Sequence, residues 1–268
     1  MMPTLVDCIG QTFILSYKEN TEQLASFLSI AGCQVEVLRQ IHRSEYTHYS
    51  RSYLCLLNHR KAWERALLSD KPTLIVEADF VPVAPFAQLP PPFDPADPQL
   101  GIAWLYTCAA QIYNITDQGY AEGYSTAMVA YVVTQQSAWQ LIELAESVQT
   151  NPGPETYTPW DSGIEYYLRD RNFHNYVPWR NYGEHGGIPN PEHRQNNLST
   201  THRADVLYGP LAFQPPYGDS LKERAYGRVK GIGRLLLNKY LRAPVLSGAA
   251  HPGRLLRFAL SRQLTLRL

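Results

Sequence analysis

The sequence predicts an α/β protein: a mostly parallel sheet with helices on both faces, followed by a basic C-terminal helical tail. Three observations carry that expectation. Short apolar runs of strand length alternate with helix-period segments through the first eighty residues, prolines crowd the stretch after them, and the charge changes sign near residue 218.

Residues 12–15 form the first apolar run. Asn20 or Thr21 can then cap a helix in which Leu24, Phe27, Leu28 and Ala31 recur at helical spacing, and Gly32 ends it. Val35 and Val37 alternate as in a strand. A second helical stretch over residues 56–68 buries Trp63 and Leu67 and stops at Lys71-Pro72, before the apolar strand 73–76. Pro82, Pro85, Pro90, Pro91, Pro92, Pro95 and Pro98 then impose an extended loop, because proline removes backbone donors. Residues 101–108 and 127–133 read as further strands, and Thr134 opens a helix through Ala138, Leu141, Ile142 and Ala145 that ends before Asn151. Residues 157–217 are rich in Tyr, Trp, Asn, His, Gly and Pro with little periodicity, the pattern of long functional loops.

With 268 residues, 44% of them hydrophobic and 18% charged, the chain can bury a sizeable core; a disordered, collagenous or coiled-coil chain is excluded. No apolar run reaches the roughly 18 residues of a membrane span, and residues 1–13 lack a signal core, so a cytoplasmic location is expected. The four cysteines, Cys8, Cys33, Cys55 and Cys108, lie far apart without zinc-ribbon spacing and are expected as buried thiols. The zero net charge conceals an asymmetry: from residue 220 onward eleven Lys and Arg face Glu223 alone, a net +10, which leaves −10 on residues 1–219. This divides the chain into a body, 1–217, and a basic amphipathic tail, 218–268. Ser220 and Glu223 form a capping-box pattern ahead of a helix with Tyr226, Val229, Leu236 and Tyr240 on one face, which Gly227, Gly231 and Gly233 weaken in water. A second stretch, 254–268, is basic without clean amphipathicity.

The most informative motif is Glu77-Ala78-Asp79, closing the strand 73–76. Side chains two apart on a strand point the same way, so both carboxylates can face one ligand above the sheet edge. Oxygen ligands in an incomplete cage suit Mg²⁺ or Mn²⁺ when a diphosphate supplies the remaining bonds. The competing reading is a solvated strand end. Ser16 and Tyr17 end the first strand, where a nucleotide lies in such sheets, and Tyr17 can stack on a base. Asn58, His59 and Arg60 are read as opening the second helix, whose amides suit an anion, with Arg60 or Lys61 on phosphate; the alternative is a helix tied to its neighbours by salt bridges.

Asn58-His59-Arg60-Lys61-Ala62-Trp63, followed by Leu74-Ile75-Val76-Glu77-Ala78-Asp79-Phe80, resembles the Ser-His-x-x-x-Trp helix and acidic strand of glycosyltransferase family 25, the lipopolysaccharide-type galactosyl- and glucosyltransferases. The resemblance extends from residues 13–16, through residues 131–134, to Trp160-Asp161. This chain has Glu-Ala-Asp where the family usually has Glu-Asp-Asp, Asn58 for its serine, and Tyr17-Lys18-Glu19-Asn20 for its arginine-rich turn. The resemblance implies a GT-A domain that binds a nucleotide sugar, with Asp79 on the metal and Glu77 as second ligand or donor contact. Asp161 stands where the family carries a carboxylate near the acceptor, so it is the candidate base of an inverting transfer, against the competing role of helix N-cap. In the loop Tyr182-Gly-Glu184-His185-Gly186-Gly187, His185 is expected to complete the metal shell in preference to His193, with Glu184 and Trp160 toward the acceptor. Tyr166, Tyr167 and Trp179 offer further flat faces to a sugar. The competing reading of this loop is a surface segment with solvated histidines.

The expected function is therefore transfer of a hexose from a nucleotide diphosphate sugar, a UDP-sugar above all, to a glycan or lipid-linked acceptor in cell-surface polysaccharide synthesis, dependent on Mn²⁺ or Mg²⁺. The expected partners are donor, acceptor and an anionic membrane surface, met by the tail on the inner face at about 1 kcal/mol per basic residue. Nucleic acid is disfavoured by the acidic body. The alternative is a catalytically degenerate GT-A-like binding module.

Overall fold

The structure, a computed structural model, describes residues 3–108, 110–187, 202–215, 221–237, 239–241 and 251–264. After the one-turn helix α1 (Leu5–Cys8) come β1 (Gln11–Ser16), α2 (Glu22–Ile30), β2 (Val35–Arg39), α3 (Arg51–Ala66), β3 (Thr73–Glu77) and the short β4 (Phe80–Pro82). Then follow β5 (Leu100–Trp104), β6 (Gln111–Ile115), β7 (Ala121–Tyr124), β8 (Ala130–Val133), α4 (Gln135–Thr150), α5 (Ile164–Arg169), β9 (His174–Val177) and β10 (Gly183–His185). Helices α6 (Leu221–Leu236) and α7 (Pro252–Gln263) complete the described elements.

Eight strands form one sheet in the order β2-β1-β3-β8-β5-β9-β7-β6, and β10 pairs with β4 in a small second sheet. β1 is parallel to β2 and β3, β8 is antiparallel to β3 and β5, β9 is parallel to β5, and β7 is antiparallel to β9 and β6. Strand direction is thus mostly shared, with β7 and β8 reversed, as the sequence leads one to expect, although the pairing itself is mixed.

Alternation along the central strands builds two cores. Phe13, Leu15, Ile75, Tyr131 and Val133 pack on one face with Trp63 of α3, Leu141 of α4 and Ile164 of α5. Ile14, Leu74, Val76, Ala130 and Val132 pack on the other with Leu24 and Leu28 of α2 and with Phe86 and Phe93 of the proline-rich segment. The helix ends follow from local chemistry. Ser50 Oγ accepts from the Tyr53 amide at 3.1 Å, which starts α3 at Arg51. Thr134 and Ser137 form a reciprocal cap on α4, and Gly32, at φ +100°, ends α2 in a conformation that a side chain would strain.

Two expectations change here. The stretch 157–217, read as irregular, contains α5, β9 and β10, and the hairpin β6–β7 lay unrecognised before it because its polar residues mask the alternation. The basic tail is helical but packs on the body: Leu235, Tyr240, Leu241, Leu255 and Ala259 belong to the first core. The wholly buried Arg262 is paired with Asp205 and donates to Thr107 Oγ1 at 3.1 Å. Gly227 and Gly231, expected to weaken α6, instead permit its close approach. A Cβ at 227 would lie 3.1 Å from the Ala204 carbonyl oxygen, and one at 231 would lie 2.8 Å from Gln263 Oε1. No helix among the described residues is long and apolar enough to cross a membrane.

Candidate active site

β3 ends at Glu77, in register with Leu15 at the C-terminal end of β1. Ala78 and Asp79 form the turn into β4, so Asp79 lies off the strand on which the spacing argument placed it. It nevertheless meets Glu77, because β10 pairs antiparallel to β4 with His185 opposite Phe80, and the Gly186 amide donates to the Asp79 carbonyl at 2.7 Å. One ligand atom from each of Glu77, Asp79 and His185 lies within 4.8 Å of the others. Sequence reasoning named these three residues as a metal set, and the fold brings them together.

The group suits a divalent cation. His185 Nε2 is 3.1 Å from Asp79 Oδ2, while Asp79 Oδ1 is buried without a hydrogen-bond partner. Gly187 leaves the space open, since a methyl group there would overlap Asp79 Oδ2 and lie 2.8 Å from His185 Nε2. Two carboxylates and one imidazole form a donor set for Mn²⁺ or Mg²⁺. Burial alone would lower the imidazole's pKa, but the adjacent Asp79, with Glu77 and Glu184, raises it to about 9. A metal bound at this group would compete with that proton.

Glu77 is held from behind. The Trp63 indole, which can only donate, gives its N–H to the Tyr131 hydroxyl at 2.9 Å, and that hydroxyl lies 2.8 Å from His59 Nδ1. With the phenol proton directed at Nδ1, the imidazole carries its own proton on Nε2, which faces Glu77 Oε1 at 3.2 Å. The Cys55 thiol donates to the same oxygen at 3.7 Å, and burial followed by the charge of Glu77 raises the thiol pKa. Both donors converge on Oε1.

Two cavities meet at Glu77. One, of about 290 Å³, is lined by Ser16, Tyr17, Glu19, Asn58, His59 and Asp79. The other, of about 210 Å³, is lined by Met128, Tyr157, Trp160, Asp161, His185 and His202. Cys55 and Glu77 line both. The first lies at the C-terminal ends of β1 and β3, the place of a nucleotide in an open α/β sheet. Its lip is ordered by Glu19, whose carboxylate accepts from the Tyr17 amide at 2.6 Å, the Lys18 amide at 3.0 Å and Ser16 Oγ at 3.1 Å. Tyr17 is 40% exposed, open enough to stack on a base. Asn58 donates to the Ser16 carbonyl at 3.5 Å and leaves Oδ1 buried and unpaired.

In the second cavity Asp161 is half-buried. Burial raises its pKa to about 6, helped by the charge of Glu77 and opposed by the Ser162 amide, which donates to Oδ1 at 2.9 Å. It does not cap α5, whose N-cap is Gly163. Trp160 is nearly buried: its ring lies 5.3 Å from His59, and Nε1 donates to the Ser52 carbonyl at 3.0 Å, so it walls the cavity with one edge.

Several expected contacts are corrected. Because α3 begins at Arg51, Asn58, His59 and Arg60 lie mid-helix, and no free amides there await an anion. Arg60 faces away and pairs with Glu64 at 2.9 Å and with Glu146 of α4 at 3.0 Å, so it does not reach a donor. His59, fully buried with both ring nitrogens engaged, positions Glu77 rather than gripping the donor. Glu184, 2% exposed, accepts from the His185 and Ala204 amides, both at 2.9 Å, and so anchors the loop instead of meeting an acceptor. Burial raises its pKa to about 7. Trp179 lines a separate cavity beside Pro90, Pro91 and Pro92. His193 and Ser220 lie outside the described residues. Cys55, Glu19, Tyr131 and His202 were not anticipated; the one available signal was the i, i+4 spacing of Cys55 and His59 on a helix.

No family model matches the chain, so the likeness to family 25 remains one of residue pattern, and no curated protein matches it. Among solved structures, the chain is similar to a glycosyltransferase involved in the glycosylation of the major capsid of PBCV-1, with 12% identity and a TM-score of 0.41. The match covers 64% of this chain and 84% of that one. At that level of likeness no residue role passes from one protein to the other.

Proposed function

We propose that the protein is a metal-dependent glycosyltransferase that moves a hexose from a nucleotide diphosphate sugar, best a UDP-sugar, to a hydroxyl of a glycan or lipid-linked acceptor. The observation that carries this reading is the convergence of Glu77, Asp79 and His185 where two cavities meet, with Asp161 in the second. In this reading the cavity under Ser16 and Tyr17 takes the nucleotide, and the cavity beside Trp160 takes the acceptor. Asp161 accepts the acceptor hydroxyl's proton as its oxygen bonds to the anomeric carbon, while the sugar–diphosphate bond breaks and its electron pair leaves with the nucleoside diphosphate. Attack from the face opposite the leaving group inverts the anomeric centre. Asp79, Glu77 and His185 would hold a divalent ion, which when bound would supply neutralisation of the leaving diphosphate. Tyr131 and His59 hold Glu77 still, which limits rearrangement during transfer. The setting that fits is cell-surface polysaccharide synthesis, lipopolysaccharide included.

The test is titration calorimetry with UDP in the presence and absence of Mn²⁺, followed by a hydrolysis screen over UDP-sugars. Metal-dependent UDP binding that Asp79→Ala abolishes is the expected result. UDP binding that ignores both metal and Asp79, or no binding at all, would leave a degenerate binding module.

A further inference from the structure

On α6 the buried stripe is Gly227, Gly231 and Leu235, four apart, and on α7 it is Leu255, Ala259 and Gln263. These small or contact residues face the body. The large apolar residues are turned the other way: Tyr226, Val229, Leu236 and Leu237 in and just after α6, and Leu256 and Leu260 of α7, are between 40% and 78% exposed. Exposure of so many neighbouring apolar side chains marks a surface that meets something apolar. Lys222, Arg224 and Arg257 stand exposed among them, and Arg254 pairs with Asp117 of the body at 3.1 Å. Glu223, the single acid from residue 220 onward, is tied to Arg203 at 3.0 Å. Apolar residues interleaved with cations that outnumber the nearby acids Glu223 and Asp117 complement an anionic lipid surface, where apolar side chains enter the acyl boundary and cations meet headgroups.

The same contacts set this face beside the candidate active site. Arg203 bridges Glu223 of α6 to the carbonyl of His185, so one side chain joins the helix to the metal group. We infer that α6 and α7 together form a docked, inverted amphipathic face that seats the protein on an anionic membrane, with the cavities next to the lipid surface. A lipid-linked acceptor would be delivered there. The seating itself does not depend on the transfer reaction.

Flotation of the full chain with vesicles tests this without donor or metal, so its outcome is separate from that of the UDP titration. Wild-type protein should float with vesicles of 70% phosphatidylcholine and 30% phosphatidylglycerol, and remain behind with pure phosphatidylcholine. Val229→Glu/Leu236→Glu/Leu237→Glu should weaken partition about a hundredfold, with an unchanged melting temperature because these side chains are exposed. Lys222→Ala/Arg257→Ala should weaken it less and flatten its salt dependence. No flotation on the anionic vesicles, equal flotation of the triple variant, or salt-sensitive binding to RNA in place of lipid would overturn the inference.

Discussion

Asp161 illustrates how much one side chain's setting decides. Its pKa lies near 6 because burial penalises the charge and Glu77 adds to the penalty. A proton acceptor must be the carboxylate, which prevails above that value and is lost as pH falls through it. The kcat of sugar transfer should therefore rise as pH goes from 5 to 7, a limb that Asp161→Asn would remove together with roughly 10²–10⁴-fold of the rate while UDP affinity stays unchanged. A steady-state pH profile of both proteins checks this. Gly187 gives a complementary test. In Gly187→Ala the side chains of Glu77, Asp79 and His185 all remain, yet the added methyl overlaps Asp79 Oδ2. Mn²⁺ affinity, followed by electron paramagnetic resonance of the free ion, should fall at least tenfold.

At the scale of elements, Trp63 of α3, Tyr131 of β8 and Glu77 of β3 are joined through His59 across one face of the sheet. Tyr131→Phe would leave the indole N–H and His59 Nδ1 buried and unpaired, a loss of about 1–3 kcal/mol per group. Urea unfolding should show that loss, and Mn²⁺ titration should show weaker binding as Glu77 is released. His59→Gln, which can still donate to Glu77, should recover more of the metal affinity than His59→Ala. Little of this relay was legible in the sequence, because Tyr131 sits in an apolar run that reads as plain core. α3 starts at Arg51, five residues ahead of the stretch 56–68 that the periodicity marks, and this hides the shared face of Cys55 and His59 from the sequence. By contrast β1, β3, α2 and α4 were readable, since Thr21, Thr134 and Gly32 mark their bounds. Glu77 and Asp79 were legible as a pair by spacing, although a turn and the pairing of β4 with β10 are what bring them together.

For the whole molecule, the division of charge visible in the sequence is not a division of structure. Asp205 is buried, which would raise its pKa, yet Arg262 holds it below the usual carboxylate range. Arg262→Ala would strand that charge at a cost of about 3–5 kcal/mol, and Asp205→Leu/Arg262→Met should recover much of it; denaturant midpoints of the single and double variants decide. The glycines of α6 could not be read correctly from helix propensity alone, because their value lies in what Ala204 and Asp205 place against them. The buried pair also has a consequence for biosynthesis. Asp205 and Arg262 stand 57 residues apart in the chain, so this pair can close only after residue 262 has left the ribosome, late in synthesis.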